Sequence, residues 1–151
     1  MRLGFEKAQQ NNLKDRVMRF GSGGDFIHCQ FIFDQYDKIS ASAWDMYGIG
    51  FRHYADTVQN EATHWEFIDF GTDKDEHLYV WFRQRLGTQY DYLGLLTSFI
   101  IPTRKTQNIK TFCSEVCYQA CQQFLGQKQP KVNENYLSPQ GLYNLITKGK
   151  L

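Results

Sequence analysis

Thr111-Phe112-Cys113-Ser114-Glu115-Val116-Cys117 joins a threonine able to cap a helix, a cysteine just after it, and a run with helical spacing. With Thr111 as N-cap, Cys113 falls in the first turn. There it lies beside backbone N–H groups without intrahelical partners, at the positive end of the helix dipole. Such a position lowers a thiol's pKa and makes it a nucleophile. Far upstream, His28 opens the best strand of the chain, Ile27-His28-Cys29-Gln30-Phe31-Ile32-Phe33. A thiol at a helix start and an imidazole on a strand are the nucleophile and general base of covalent acyl transfer. In chain order the base comes first.

A base of this kind needs a third group to fix its tautomer and orientation. The next strand, Lys38-Ile39-Ser40-Ala41-Ser42-Ala43-Trp44, alternates so that Ser40 and Ser42 share one face. Either serine is a candidate, and so is Gln30, which lies on the His28 face; each is equally what an ordinary strand carries. In Tyr90-Asp91-Tyr92-Leu93-Gly94-Leu95-Leu96 the Tyr90 hydroxyl is a candidate donor to a developing oxyanion, together with the N–H of Cys113. Read locally, that stretch is a packed aromatic loop.

The remaining reactive types have plainer readings. Cys117 and Cys121 lie one and two turns deeper on the Cys113 stripe and read as buried structural thiols. Sulfurs so spread along one helix cannot converge on one tetrahedral zinc, and no CxxC knuckle is present. No metal or cofactor is expected. His53, His64 and His77 read as surface or strand-edge residues. Gly21-Ser22-Gly23-Gly24 lacks the spacing of a phosphate-binding loop and precedes a strand, so it reads as a turn.

The chain of 151 residues is enough for one domain with one core. Its 42% hydrophobic and 16% aromatic content, with 3 prolines, is that of an ordered globular protein. A net charge of +1 gives no electrostatic case for nucleic acid or an anionic membrane as partner. The longest apolar stretch, Leu93 to Ile101, is about half the ~20 residues of a spanning helix. The first residues turn polar at once, without the apolar core of a signal peptide. Unpaired thiols then fit a reducing compartment, and a cytoplasmic location is expected.

The elements that must position these groups follow from periodicity. Arg2 to Glu6 predicts a short strand and Asn11 to Phe20 a short helix or irregular segment. Phe26–Asp34, Lys38–Trp44, Ile49–Tyr54 and His64–Phe70 predict four strands separated by polar turns, in an antiparallel meander. After Asp75 the period changes: Leu78, Trp81, Phe82 and Leu86 mark a helical face that Gly87 stops. An apolar loop runs from Gly94 to Asn108, and the cysteine helix from Phe112 to Leu125, with Gly126 as its stop. Ser138 caps a last helix with Pro139 at its first position. Strands in one block and helices mainly in another predict an α+β fold, most of the sheet antiparallel, over residues 1–151.

Gly24-Asp25-Phe26-Ile27-His28, then Gly87-Thr88-Gln89-Tyr90-Asp91-Tyr92-Leu93-Gly94-Leu95-Leu96, then Phe112-Cys113-Ser114-Glu115 resemble the permuted branch of the NlpC-type papain-like superfamily. That branch holds the YiiX-type bacterial proteins and, more distantly, the lecithin:retinol acyltransferase group. The resemblance spans roughly Arg2 to Thr147, and the Tyr-Asp-x-x-Gly-Leu-Leu and Phe-Cys-Ser-Glu pieces are its most specific parts. It implies a circularly permuted papain-like domain with Cys113 as nucleophile, His28 as base, Tyr90 beside the thiol and Ser40 or Ser42 as third residue. Relatives often place a histidine or glutamate at that third position, and a small aliphatic residue where Cys29 stands. The implied activity is a cysteine hydrolase that cleaves an amide bond, in a peptide or cell-wall peptide, through a thioester. Lipid acyl transfer or thioester hydrolysis on the same residues is the alternative chemistry. A virion or assembly protein that keeps the fold with weak or no catalysis is the alternative class, favoured by a serine at the third position, which supports an imidazolium more weakly. Small members without a signal peptide resemble phage and prophage proteins, and a phage-encoded chain would be virion-associated. The implied partner is a peptide or acyl substrate; the sequence sets no oligomeric state.

Overall fold

The computed structural model describes residues 1–9, 13–44, 47–58, 61–71, 73–90, 110–124 and 137–148. Five strands, β1 (Arg2–Lys7), β2 (Phe26–Phe33), β3 (Ile39–Trp44), β4 (Gly48–His53) and β5 (Trp65–Asp69), form one antiparallel sheet in the order β4-β3-β2-β1-β5. A short parallel pair, β6 (Gln89–Tyr90) with β7 (Lys110–Thr111), forms a separate two-stranded sheet beside β4. Around these strands stand α1 (Leu13–Ser22), α2 (Tyr54–Thr57), α3 (Glu61–His64), α4 (Asp75–Arg83), α5 (Cys113–Phe124) and α6 (Pro139–Thr147). The class is α+β, as the sequence predicts.

The meander holds for β2, β3 and β4 and fails for β5. Instead of following β4, β5 crosses to the far edge and pairs with β1, with Leu3 opposite Ile68 and Phe5 opposite Glu66. The reason lies in β1. Leu3 and Phe5 are fully buried, so β1 is an interior strand, and its second row of backbone groups needs a partner that β5 supplies.

One face of the sheet carries the core. Leu3, Phe5, Cys29, Phe31, Phe33, Ala41 and Ala43 point to it and meet α5. On α5 the residues facing them are Cys113, Val116, Cys117, Ala120 and Cys121, an i, i+3, i+4, i+7, i+8 stripe. Each large apolar side chain so buried contributes about 1.5–3 kcal/mol, so α5 is held to β2 and β3 mainly by this seam. Leu78, Trp81 and Phe82 of α4 extend the core, and the Trp81 indole N–H donates to Gln123 Oε1 at 2.8 Å. Leu86 does not belong to that face. The helix ends at Arg83, the chain tightens into i to i+3 bonds, and Leu86 is left 50% exposed in the turn that Gly87 closes at φ +81°.

Ser138 caps α6 as predicted: its hydroxyl accepts from the Gly141 N–H at 3.1 Å, and Pro139 holds the first position. Among the described residues no helix is long and apolar enough to cross a membrane. The predicted helix start at Asn11, the apolar stretch Leu93–Ile101, the Gly94–Asn108 loop and the Leu125-Gly126 stop lie outside the described residues.

Candidate functional site

His28 is aimed by two irregularities of β2. On the β1 side Glu6 is opposite His28 and Lys7 is opposite Phe26, so Ile27 is an extra residue. A bulge of this kind bends its strand and redirects the neighbouring side chain. On the β3 side the paired register ends at Phe31 opposite Ala41. Beyond it, the Ser42 hydroxyl donates to the Cys29 carbonyl at 2.7 Å, and the Cys117 thiol donates to the same oxygen at 3.7 Å. The Trp44 ring packs against the imidazole with centroids 5.0 Å apart, and His28 Nε2 is buried. Upstream, Gln140 of α6 accepts from the Asp25 N–H at 2.9 Å and anchors the start of the strand.

Cys113 is the first residue of α5. Thr111 is not its N-cap, as the sequence suggests. It belongs to β7, where its backbone pairs with Tyr90, and Phe112 occupies the residue before the helix. The Val116 N–H bonds the Phe112 carbonyl at 3.1 Å, which leaves the N–H groups of Cys113, Ser114 and Glu115 without intrahelical partners. The thiol is in the first turn, as expected, and it is buried there, where a nucleophile at a helix end would be partly exposed: Cys113 is 3% accessible. The cause is local, since the stripe that docks α5 begins with Cys113 itself.

The electrostatics single out this sulfur. A hydrogen bond from Cys29 holds the Cys113 thiol well below the ordinary thiol range. Burial opposes this, and the charge of His28 and a hydrogen bond with it add to the lowering. Cys29 moves the opposite way, because burial and its hydrogen bonds with Cys113 and Cys117 push it well up. Burial also pushes Cys121 well up. Of these three thiols Cys113 is the one whose ionisation is favoured, with His28 supplying both charge and a hydrogen bond.

The other expected residues are placed as follows. Ser40 and Ser42 share the His28 face, as alternation predicts, for Ile32 is opposite Ser40. Ser42 is engaged with the Cys29 carbonyl, while Ser40 lies 3.3 Å from Gln30 Nε2 and 3.1 Å from Thr57 Oγ1. Gln30 is fully buried and bonded to those two hydroxyls. Tyr90 is on β6 with its backbone opposite Thr111; its side chain lies outside the described part of the structure. His53 and His77 are exposed and His64 half-buried.

One residue was missed. Glu6 is the cross-strand partner of His28, and its carboxyl is raised above the ordinary range by burial, against an opposing pull from His28. Its signal in the sequence is a single charge inside the apolar Leu3-Gly4-Phe5 strand. Which residue it would oppose depended on a register the sequence does not display.

A cleft of about 430 Å³ opens at this end of the sheet, lined by Lys7, Gln9, Arg19, Asp25, Thr63 and His64. Among the described residues no group of three or more His, Cys, Asp or Glu side chains is arranged to hold a metal ion. No protein family, no curated protein and no solved structure matches the chain.

Proposed function

We propose that the chain is a cysteine hydrolase of permuted papain-like type that cleaves an amide bond in a peptide or cell-wall peptide. Cys113 is its nucleophile and His28 its base. The observation that supports the reading is a thiol at a helix start whose pKa is lowered by a hydrogen bond from Cys29 and by the charge and hydrogen bond of His28. The thiolate attacks the carbonyl carbon while His28 holds the thiol's proton. The oxyanion meets first-turn N–H groups of α5, beginning with that of Cys113. His28 then gives the proton to the leaving amine, leaving an acyl thioester on Cys113. Water, deprotonated by His28, attacks that thioester and releases the acid and the thiol.

One observation favours a second reading, a protein that keeps the fold without catalysis: Cys113 is almost fully buried. The two readings separate on the covalent intermediate. Incubation with an activated acyl ester, followed by intact-mass and peptide mapping, is expected to give one acyl group on Cys113. None should form in Cys113→Ala, and formation in His28→Ala should be at least about a hundredfold slower, the usual weight of a general base. Acylation spread over several residues, or unaffected by His28→Ala, supports the non-catalytic protein.

A further inference from the structure

The imidazole of His28 is flanked within its own row of the sheet. Trp44 packs on it from β3, and Glu6 stands opposite it on β1. Directly opposed residues of an antiparallel pair point to one face with Cβ atoms about 4.5–5.5 Å apart, within reach of a glutamate and a histidine. Two cations of this edge are engaged with other carboxylates. Lys7 Nζ lies 2.6 Å from Glu66 Oε1, and Arg19 pairs with Asp25. The charged groups felt by Glu6 are His28 on β2 and His64 on α3, which favour its anion, and Asp15 on α1 and Cys113 on α5, which oppose it. The serines open to the orienting role in the sequence have their hydroxyls turned to Cys29, Gln30 and Thr57. A half-buried carboxylate kept beside a histidine, where burial works against its charge, marks a functional arrangement.

We propose that Glu6 is the positioning residue of this site, holding the His28 imidazole in the orientation and charge state that serve Cys113. The inference rests on the reading of Cys113 and His28 as a catalytic pair, and it assigns to β1 the part that the sequence offers to Ser40 or Ser42. Glu6 touches neither substrate nor thiol in the reaction; it acts through His28. Its negative charge favours the imidazolium that forms when Cys113 gives up its proton, and so extends the pH range over which the thiolate–imidazolium pair persists.

The test reads His28 itself, apart from any turnover. Ring-nitrogen NMR of the full chain, with the His28 signal assigned by its loss in His28→Asn, follows the titration in wild type, Glu6→Gln and Glu6→Asp. Loss of an opposite charge at this range is expected to lower the His28 midpoint by about one pH unit or more in Glu6→Gln. Glu6→Asp, its charge drawn back by one methylene, should recover part of the shift. A His28 midpoint unmoved in Glu6→Gln overturns the inference. Should that variant not fold, an unmoved midpoint in Glu6→Asp does the same. Alkylation of Cys113 in the same wild-type sample separates the two levels. Fast alkylation with an unmoved His28 removes Glu6 alone, whereas absence of fast alkylation removes the catalytic pair and the role of Glu6 with it.

Discussion

Gly48→Ala is expected to be among the costliest single-methyl changes in the chain, because Gly48 joins the sheet to the segment that leads to Cys113. Its φ is +71°, a region that costs an L-residue roughly 1–2 kcal/mol. A Cβ there would sit 1.8 Å from the Thr88 carbonyl oxygen and 2.7 Å from its carbon. Both are backbone atoms, so no side-chain rotation relieves the clash. The Thr88 carbonyl accepts from the Ile49 N–H at 2.8 Å, and the Gly87 N–H donates to the Ile49 carbonyl at 3.0 Å. Moving the segment away loses both bonds, about 1 kcal/mol each, for a total of roughly 3–4 kcal/mol. Gly87→Ala is the matched control. Its φ is +81°, but nothing lies within 4 Å of the added Cβ, so it carries the backbone cost alone, roughly 1–2 kcal/mol. Urea unfolding of both variants gives the difference directly. Since Thr88 runs into β6, which pairs with β7 just before α5, Gly48→Ala should also slow Cys113 alkylation, and Gly87→Ala should not. Equal losses in the two variants would refute the steric reasoning.

Glu6→Gln should be more stable than wild type at neutral pH. Burial raises the Glu6 carboxyl, so the native state holds that proton more tightly than the unfolded chain. Stability present below the unfolded value of about 4.3 is therefore lost as pH rises through the folded value, and the advantage of Glu6→Gln should vanish in acid unfolding below that range. Asp34 has the opposite sign. Its bond with Arg2 lowers its carboxyl, so Arg2→Ala should remove stability above about pH 4 and change little in strong acid. The pair is partly exposed, so the loss should stay within about 1 kcal/mol by chemical denaturation. Cys121→Ser places a hydroxyl at a fully buried core position and should cost about 1–3 kcal/mol by the same measurement, with Cys113 alkylation unchanged.

The elements were legible because their patterns are local. β1 to β4, the α5 stripe, the Ser138-Pro139 start of α6 and the turn at Gly87 all rest on residues within a turn or a strand of one another. The pairing of β5 with β1 was not legible, because it depends on both edges of β1 being interior. In the site, the alternation that put Ser40 and Ser42 on the His28 face was readable, and so was the meeting of helix-start thiol and strand imidazole. The burial of Cys113 was not, since local sequence does not show that the docking stripe begins with the helix itself. The Thr111 cap failed because a two-residue parallel pairing with Tyr90 claims that backbone first. Glu6 stayed hidden because its meaning lies in a register broken by the Ile27 bulge.

The ionisation state of Cys113 tests the central claim most directly. Iodoacetamide alkylation is followed residue by residue through peptide mapping across a pH series, in wild type and His28→Ala. Wild-type Cys113 is expected to label before Cys29 and Cys121, with a midpoint well below the ordinary thiol value of about 8.5. In His28→Ala that midpoint should rise. A Cys113 that labels no sooner than Cys121, or whose midpoint stays in place when His28 is removed, contradicts the account.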